Sequence, residues 1–538
     1  MGKKMEKTIT NKKDYKEWIK LILVIFMAVQ PLLDIYMNLF DSKIQIFGVS
    51  AATIIRFVLV FVLLAVVIVK EIKRKSTKFF IAYALIVAVY TVFHHINAST
   101  FSIKLAQADY SFFGEIIYLA RMCVPIALIY LVYIVKPSYK DIKKVVVWSA
   151  FTVSFVIILT NLLKVGFMAY STDDVVISGT MVDWFTGNTE GYTWWELSCR
   201  GIFQATNQIS GIVLVICPIL TYICLVERKA MYWGVLAMHL IAMINLSTRI
   251  ASIGGIAVFV GIVVIYVLEK IIHKQIDFKK LLNSSLVCTV VCLVISVVFL
   301  VYSPMSMRAD EGGMFNDIIS GSEDDDTPPA TDFVEKDELP EDPEERRKYM
   351  INYIEANIPF ARIQDLYIRN AYPYKDDPEF WYNIIKNVPE SERYGNRNMR
   401  GYLIDRLFER DNRVSNELLG ISYTRSSSFI WPERDIETHL DSLGIIGTII
   451  FLGPYFLVLI CGVIEFFKKF KHNLYLKKCV YLIAAGIGVV ASYLSGHIMN
   501  EIFPALYLAF ACGIVFNTVF GDTSVIHDDV KEEEKVTE

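Results

Sequence analysis

The chain has 538 residues, 54% of them hydrophobic and 13% aromatic, and its mean hydropathy is +0.44. That composition excludes a water-soluble globular protein, and the net charge of -3, from 53 basic and 56 acidic residues, carries no nucleic-acid signature. Eight of the nine cysteines fall inside apolar stretches and Cys199 at the edge of one, so no disulfide framework can hold a large loop.

In chain order, apolar runs occupy 18–39, 45–69, 79–97, 112–135, 144–168, 202–226, 231–247, 250–268, 282–302, 443–466, 478–496 and 502–520. Each is near the length needed to cross a bilayer, which predicts an all-α polytopic membrane protein with about 12 transmembrane helices. Lysine and arginine gather before the first run, in KEIKRKSTK, in KPSYKDIKK, at ERK, in EKIIHKQIDFKK and in FKKFKHNLYLKK. Single crossings put every one of these on one side, so the positive-inside rule predicts cytoplasmic termini in the cell membrane. The first run lacks a small-residue cleavage site and reads as a retained anchor. The division that follows is residues 1–302 with nine helices, an extracytoplasmic loop at 303–442, three helices at 443–520, and a disordered tail at 521–538.

Two outer segments are long. The first, about 169–199, contains the aromatic stretch YTWWELS, which suits either a sugar-stacking surface or an interfacial aromatic belt. The second opens with the acidic run SEDDDTPPATDFVEKDELPEDPEE, which lacks calcium-loop spacing and reads as a solvated stretch and not as a metal site. After it, apolar residues at helical spacing predict a small helical cap.

Charged groups within the runs come next. Arg200, in CRGIFQATNQISG, and Arg249, in NLSTRIASIGG, each stand where an apolar run begins on the outer side, against the general segregation of positive charge. Arginine there suits a lipid-linked phosphate, because its planar fork binds phosphate oxygens in pairs. Asp34, Arg56 and Arg121 all fall in the outer halves of their helices. Buried charges need partners or a wet cavity, so we expect an Asp34 pair with Arg56 or Arg121, either packing helices or lining a cavity. Asn207 and Gln208, about two turns below Arg200, extend that lining or bond between helices. Last comes WPERDIETHLDSLGIIGTIIFLG, where His439 stands between Glu437 and Asp441 at the edge of the tenth run. A neutral histidine there can take a proton from a sugar hydroxyl, and a carboxylate beside it can orient the ring.

These motifs, in this order and on one side, resemble the O-antigen ligase and polysaccharide polymerase family across nearly the whole chain. The resemblance implies a GT-C type membrane fold. It implies transfer of a glycan from an undecaprenyl diphosphate carrier to a glycan acceptor, with inversion and without metal or cofactor. Arg200 and Arg249 would then bind the donor diphosphate, and His439 would be the base or position the acceptor. The interval from His439 to Gly444 is shorter than the family pattern, so Glu437 or Asp441 could hold the base role instead. Polysaccharide-assembly proteins and membrane lipid are the implied partners, and the lysine- and isoleucine-rich composition favours a polymerase of a capsular or exopolysaccharide repeat unit. A transporter or flippase of lipid-linked oligosaccharide is the alternative, against which stand the absence of an internal repeat and the size of the outer loop.

Overall fold

The computed structural model describes residues 15–40, 45–46, 49–103, 110–171, 174–273, 284–308, 338–393, 396–429, 434–468 and 475–520. The acidic stretch up to residue 337 and the tail at 521–538 lie outside them.

A helix occupies each of the predicted apolar runs. The first five are α1 (Tyr15–Phe40), α2 (Ala51–Lys70), α3 (Lys75–Ser99), α4 (Phe112–Val135) and α5 (Tyr139–Leu162). Short helices α6 (Met181–Thr186) and α7 (Trp194–Leu197) precede α8 (Thr206–Glu227) and α9 (Ala230–Asn245). A π-helical turn, Ile250–Gly254, then leads into α10 (Gly255–Ile272), followed by α11 (Ser284–Tyr302). The cap consists of α12 (Pro343–Asn357), α13 (Pro378–Asn387), α14 (Glu390–Arg393), α15 (Asn396–Asp411), α16 (Val414–Leu419) and α17 (Tyr423–Phe429). The chain returns through α18 (Asp435–Lys468), α19 (Leu476–Leu494) and α20 (Ile502–Phe520). One two-residue pair of strands, Gln45–Ile46 against Val49–Ser50, joins α1 to α2.

Ten of these helices are long and apolar enough to cross a membrane, which makes the chain an all-α, multi-pass membrane protein. α9 and the apolar 502–518 of α20 are shorter; the 16 residues of α9 rise about 24 Å, below the roughly 30 Å of a hydrocarbon core. Local chemistry sets several starts. Ser50 accepts from the Thr53 amide at the head of α2, and Ser138 and Asp141 form a reciprocal capping box on α5. α8 is the hub of the bundle, with 94% of its apolar window buried against 11% for α3, which therefore faces lipid.

Two boundaries differ from the hydropathy reading. α5 stops at Leu162, not 168, because the chain turns at Lys164 with φ +56° and its next residues pair across a loop, Phe167 with Val176 and Met168 with Cys199. α18 begins at Asp435, eight residues ahead of the apolar run, and is broken at Gly444 (φ +67°, ψ -178°). There the cap crosses it. Gly420 has φ +78°, and a Cβ on it would sit 2.2 Å from the Ser442 carbonyl oxygen; a Cβ on Gly444 would sit 2.4 Å from the Leu418 carbonyl carbon. Only glycine fits either position. The crossing is stitched by the Ile421 amide donating to Asp441 O and the Ser422 amide to Ser442 O, both at 3.0 Å.

A second attachment lies alongside. The Glu115 carboxylate accepts from the amides of Tyr423 and Thr424 at 3.0 and 3.1 Å, satisfying the head of α17. His94 Nδ1 donates to Leu419 O at 2.6 Å, and its Nε2 lies 2.9 Å from Glu115. α3 and α4 thus grip the cap from below, while the cap keeps its own core around Trp381, Ile354, Leu403 and Leu407.

Candidate functional site

All the candidate residues except the deeper charges gather on the membrane face that carries the cap. In the loop after α5, the Arg200 amide donates to Phe167 O at 2.9 Å and the Phe167 amide to Gly201 O at 2.7 Å. This brings the Arg200 guanidinium inward, 2% exposed, beneath the loop that it organises. Its Nε donates to Phe203 O at 3.0 Å, its Nη1 to Met168 O and Ser171 O at 2.9 and 2.6 Å, and its Nη2 to Asp174 at 2.9 Å. Burial pushes its pKa down and Asp174 pushes it back up. Four of its five donors are therefore committed to protein acceptors, and what remains for a phosphate is a single N–H.

Arg249 is the opposite case. It occupies the head of the π-helical turn, exposed, with no side-chain partner among the described residues. Just before it Ser247 takes φ +48°, and Thr248 shares a hydrogen bond with Ser210 at 2.9 Å, so the backbone under the free guanidinium is firmly held. Short π-helical segments of this kind are frequent at functional sites.

His439 is fully buried. Its Nδ1 donates to Asp435 O at 2.5 Å, which fixes the tautomer and leaves the lone pair of the neutral ring on Nε2, 3.2 Å from Met122 Sδ. The expected orientation by a neighbouring carboxylate is not formed. Glu437, two residues before the histidine, bonds Arg434 at 2.6 Å, and Asp441 pairs with Arg400 of the cap at 3.0 Å. Neighbours two apart on a helix point in different directions, and the ring finds a carbonyl in the preceding turn instead. Tyr118 of α4 flanks the imidazole at 6.4 Å and itself stacks on Tyr423 of the cap at 3.7 Å.

The deeper charges meet the expected pairing in part: Asp34 and Arg56 attract each other electrostatically without coming within ion-pair distance, and Arg121 takes another partner. Arg121 pairs with Glu501 at 3.3 Å. Arg56 donates from Nε to Gln30 at 2.8 Å and lies 5.5 Å from the Phe503 ring, and Asp34 accepts from the Gln204 amide at 3.3 Å. The terminal nitrogens of Arg56 and one oxygen of Asp34 are buried without a hydrogen-bond partner. Asn207 donates to Ser495 O at 3.2 Å, and Gln208 is buried in α8. Glu501 could not be matched to Arg121 from the sequence, because 380 residues separate them.

Three residues absent from the sequence reading tie this face together. Asp435, completely buried, accepts from three consecutive amides, His497, Ile498 and Met499, at 2.8, 2.9 and 2.7 Å. That turn between α19 and α20 also holds Asn207 and, through Glu501, Arg121, so it links α4, α8 and the first turn of α18. The third is Arg308, in helical residues 304–308 after α11. The one available signal was a set of polar residues, SGHIMNE, between two apolar runs. Among the described residues no group of three histidine, cysteine or acidic side chains is placed to hold a metal ion.

The family model for O-antigen ligase like membrane protein matches residues 16–519. No curated protein and no solved structure matches the chain. With its bundle, its cap and nearly its whole length covered by that match, the chain belongs to the family of O-antigen ligase like membrane proteins.

Proposed function

We propose that this protein is a membrane glycosyltransferase that polymerises or ligates undecaprenyl-diphosphate-linked oligosaccharide into a surface polysaccharide, inverting at the anomeric carbon and needing no metal. Family membership supports the coarser class, a glycosyltransferase-like membrane enzyme of polysaccharide assembly. In this reading twelve helices cross the cell membrane, the termini are cytoplasmic and the cap is extracytoplasmic.

The observation that carries the reading is Arg249, an exposed arginine on the cap face without a side-chain partner among the described residues. The donor already has a good leaving group, so catalysis consists of neutralising the departing diphosphate and orienting one acceptor hydroxyl. Arg249 does the first. Arg200 shapes the loop around it and offers its remaining N–H. His439, with its lone pair fixed on Nε2, takes the acceptor proton once Met122 and Tyr118 move aside; Glu437 and Asp441 are the carboxylates that could replace it. Asp34, Arg56, Arg121 and Asn207 line the polar interior beneath. The unpartnered atoms of Asp34 and Arg56 are what favours the second reading, a transporter of the same lipid-linked oligosaccharide.

The deciding experiment is in reconstituted protein with an undecaprenyl diphosphate oligosaccharide, following longer glycan and released carrier. Growth by the wild type and its loss in Arg249→Ala support the transferase. Movement of intact lipid between leaflets without growth would replace it with the transporter.

A further inference from the structure

Arg249 has a neighbour that the sequence does not reveal. Ser247, two residues before it, lies just past the end of α9, and its carbonyl oxygen collects two donors from elsewhere in the chain: Arg308 Nη1 at 2.9 Å and the Tyr170 hydroxyl at 3.4 Å. Arg308 Nη1 also donates to the Tyr170 hydroxyl at 2.5 Å. Its guanidinium lies over two aromatic rings, 4.8 Å from the centre of Tyr170 and 4.4 Å from that of Trp194, which meet edge to face at 4.7 Å. Arg308 is thus held in place by stacking and by one nitrogen, while Nε and Nη2, three of its five N–H groups, have no acceptor among the described residues.

The contrast with Arg200 is informative. An arginine whose work is to hold a loop spends its donors on that loop, as Arg200 does with four bonds, one of them to the Asp174 carboxylate. Arg308 is rigidly presented and mostly unspent, and neither it nor Arg249 has a carboxylate within ion-pair distance among the described residues. Arg308 is bonded to the Ser247 carbonyl and Arg249 follows two residues later in the chain, so two arginines without a carboxylate partner among the described residues belong to one short stretch, a pairing that suits an anion bearing two charges. Trp195, 39% exposed and edge-on to Trp194 at 5.5 Å, offers a flat apolar face at the rim. Such a face suits the C–H side of a sugar ring.

We propose that Arg308 and Arg249 together form the site for a glycosyl diphosphate, with Arg308 the second diphosphate contact and Trp195 the platform for the sugar attached to it. The assignment rests on the reading of Arg249 as a donor contact and moves the second contact from Arg200 to Arg308.

The test is binding, independent of turnover. The full chain in detergent is titrated with geranylgeranyl diphosphate and with geranylgeranyl monophosphate. Arg308→Ala is expected to weaken diphosphate binding about tenfold or more, as for loss of a charge-assisted contact, and to erase the preference for diphosphate over monophosphate. Arg308→Lys does not restore it, since an ammonium lacks the planar fork that lies over Tyr170 and Trp194 and binds phosphate oxygens in pairs. Arg308→Gln keeps an amide donor for the Ser247 carbonyl and serves if the alanine variant melts early; it should bind as weakly as Arg308→Ala. Wild-type affinity in Arg308→Gln, with loss in Arg249→Ala, overturns the assignment of Arg308 and leaves the function standing. A wild type that does not bind the diphosphate overturns both.

Discussion

Replacing Asp435 by asparagine keeps the shape of the side chain and removes its charge, at a position with three donors pointing at two oxygens. Oδ2 accepts from Ile498 and Met499, and Oδ1 from His497. The amide oxygen can keep the first two, but its NH2 group then faces the His497 amide. One buried N–H loses its acceptor, at a cost of about 1–3 kcal/mol, and two bonds lose the help of an ionised partner, roughly 0.5–1 kcal/mol each. The total is about 2–5 kcal/mol with no cavity formed. Asp435→Ala strips all three amides and should cost more. Thermal unfolding of detergent-solubilised protein should show a fall of at least several degrees for Asp435→Asn, against almost none for Glu437→Gln, whose exposed pair with Arg434 contributes under about 1 kcal/mol. Chain growth should fall further than stability, because the same residue's carbonyl fixes the His439 tautomer. An Asp435→Asn protein that melts with the wild type would refute the three-amide anchor and the idea that the turn between α19 and α20 positions the histidine.

Three further outcomes can be checked directly. Arg249→Ala should lower glycan transfer by a hundredfold or more, about 2.7–4 kcal/mol of transition-state stabilisation, with unchanged melting, and Arg249→Lys should recover only part of it in the same chain-growth assay. Gly444→Ala would put a methyl group 2.4 Å from the Leu418 backbone at positive φ. It should cost roughly 1–3 kcal/mol in strain plus the overlap, read as a lower melting temperature and faster proteolysis of the cap. Asp411 is raised by burial, but hydrogen bonds from Ser102, Asn416 and Arg413 outweigh that and hold it at about 2. A depressed carboxylate stabilises above its unfolded value and loses that contribution as pH falls through the folded one, so the cap's attachment should weaken between about pH 4 and pH 2. Melting curves across that window should show the loss in the wild type and a smaller dependence in Asp411→Asn.

What the sequence made legible was whatever depends on neighbours along the chain. Every apolar run became a helix, because burial of a run in lipid depends on its own composition and length. The site was legible only as a list of candidates. Arg200 and Arg249 look alike in their strings, yet one is consumed by Met168, Ser171 and Asp174 while the other has no side-chain partner among the described residues, a difference made by the fold of the loop after α5. His439 was read with its sequence neighbours, but helical geometry turns Glu437 and Asp441 to other partners. Asp34 was matched to the nearest opposite charges in depth, while Arg121 found Glu501 across 380 residues. Arg308 carried no signal at all, since its importance lies in Ser247 and Trp194, which reach it from two other parts of the chain.

The crossing of Gly420 over Gly444 has an architectural consequence. Because the cap is sewn to residues 441 and 442 by backbone bonds while Asp435 is anchored to the turn between α19 and α20, the segment from Asp435 to Ser442 is held at both ends, by the cap and by the membrane bundle. A single residue inserted between Gly420 and Gly444 would slide the stitched backbones out of step and carry His439 off its mark.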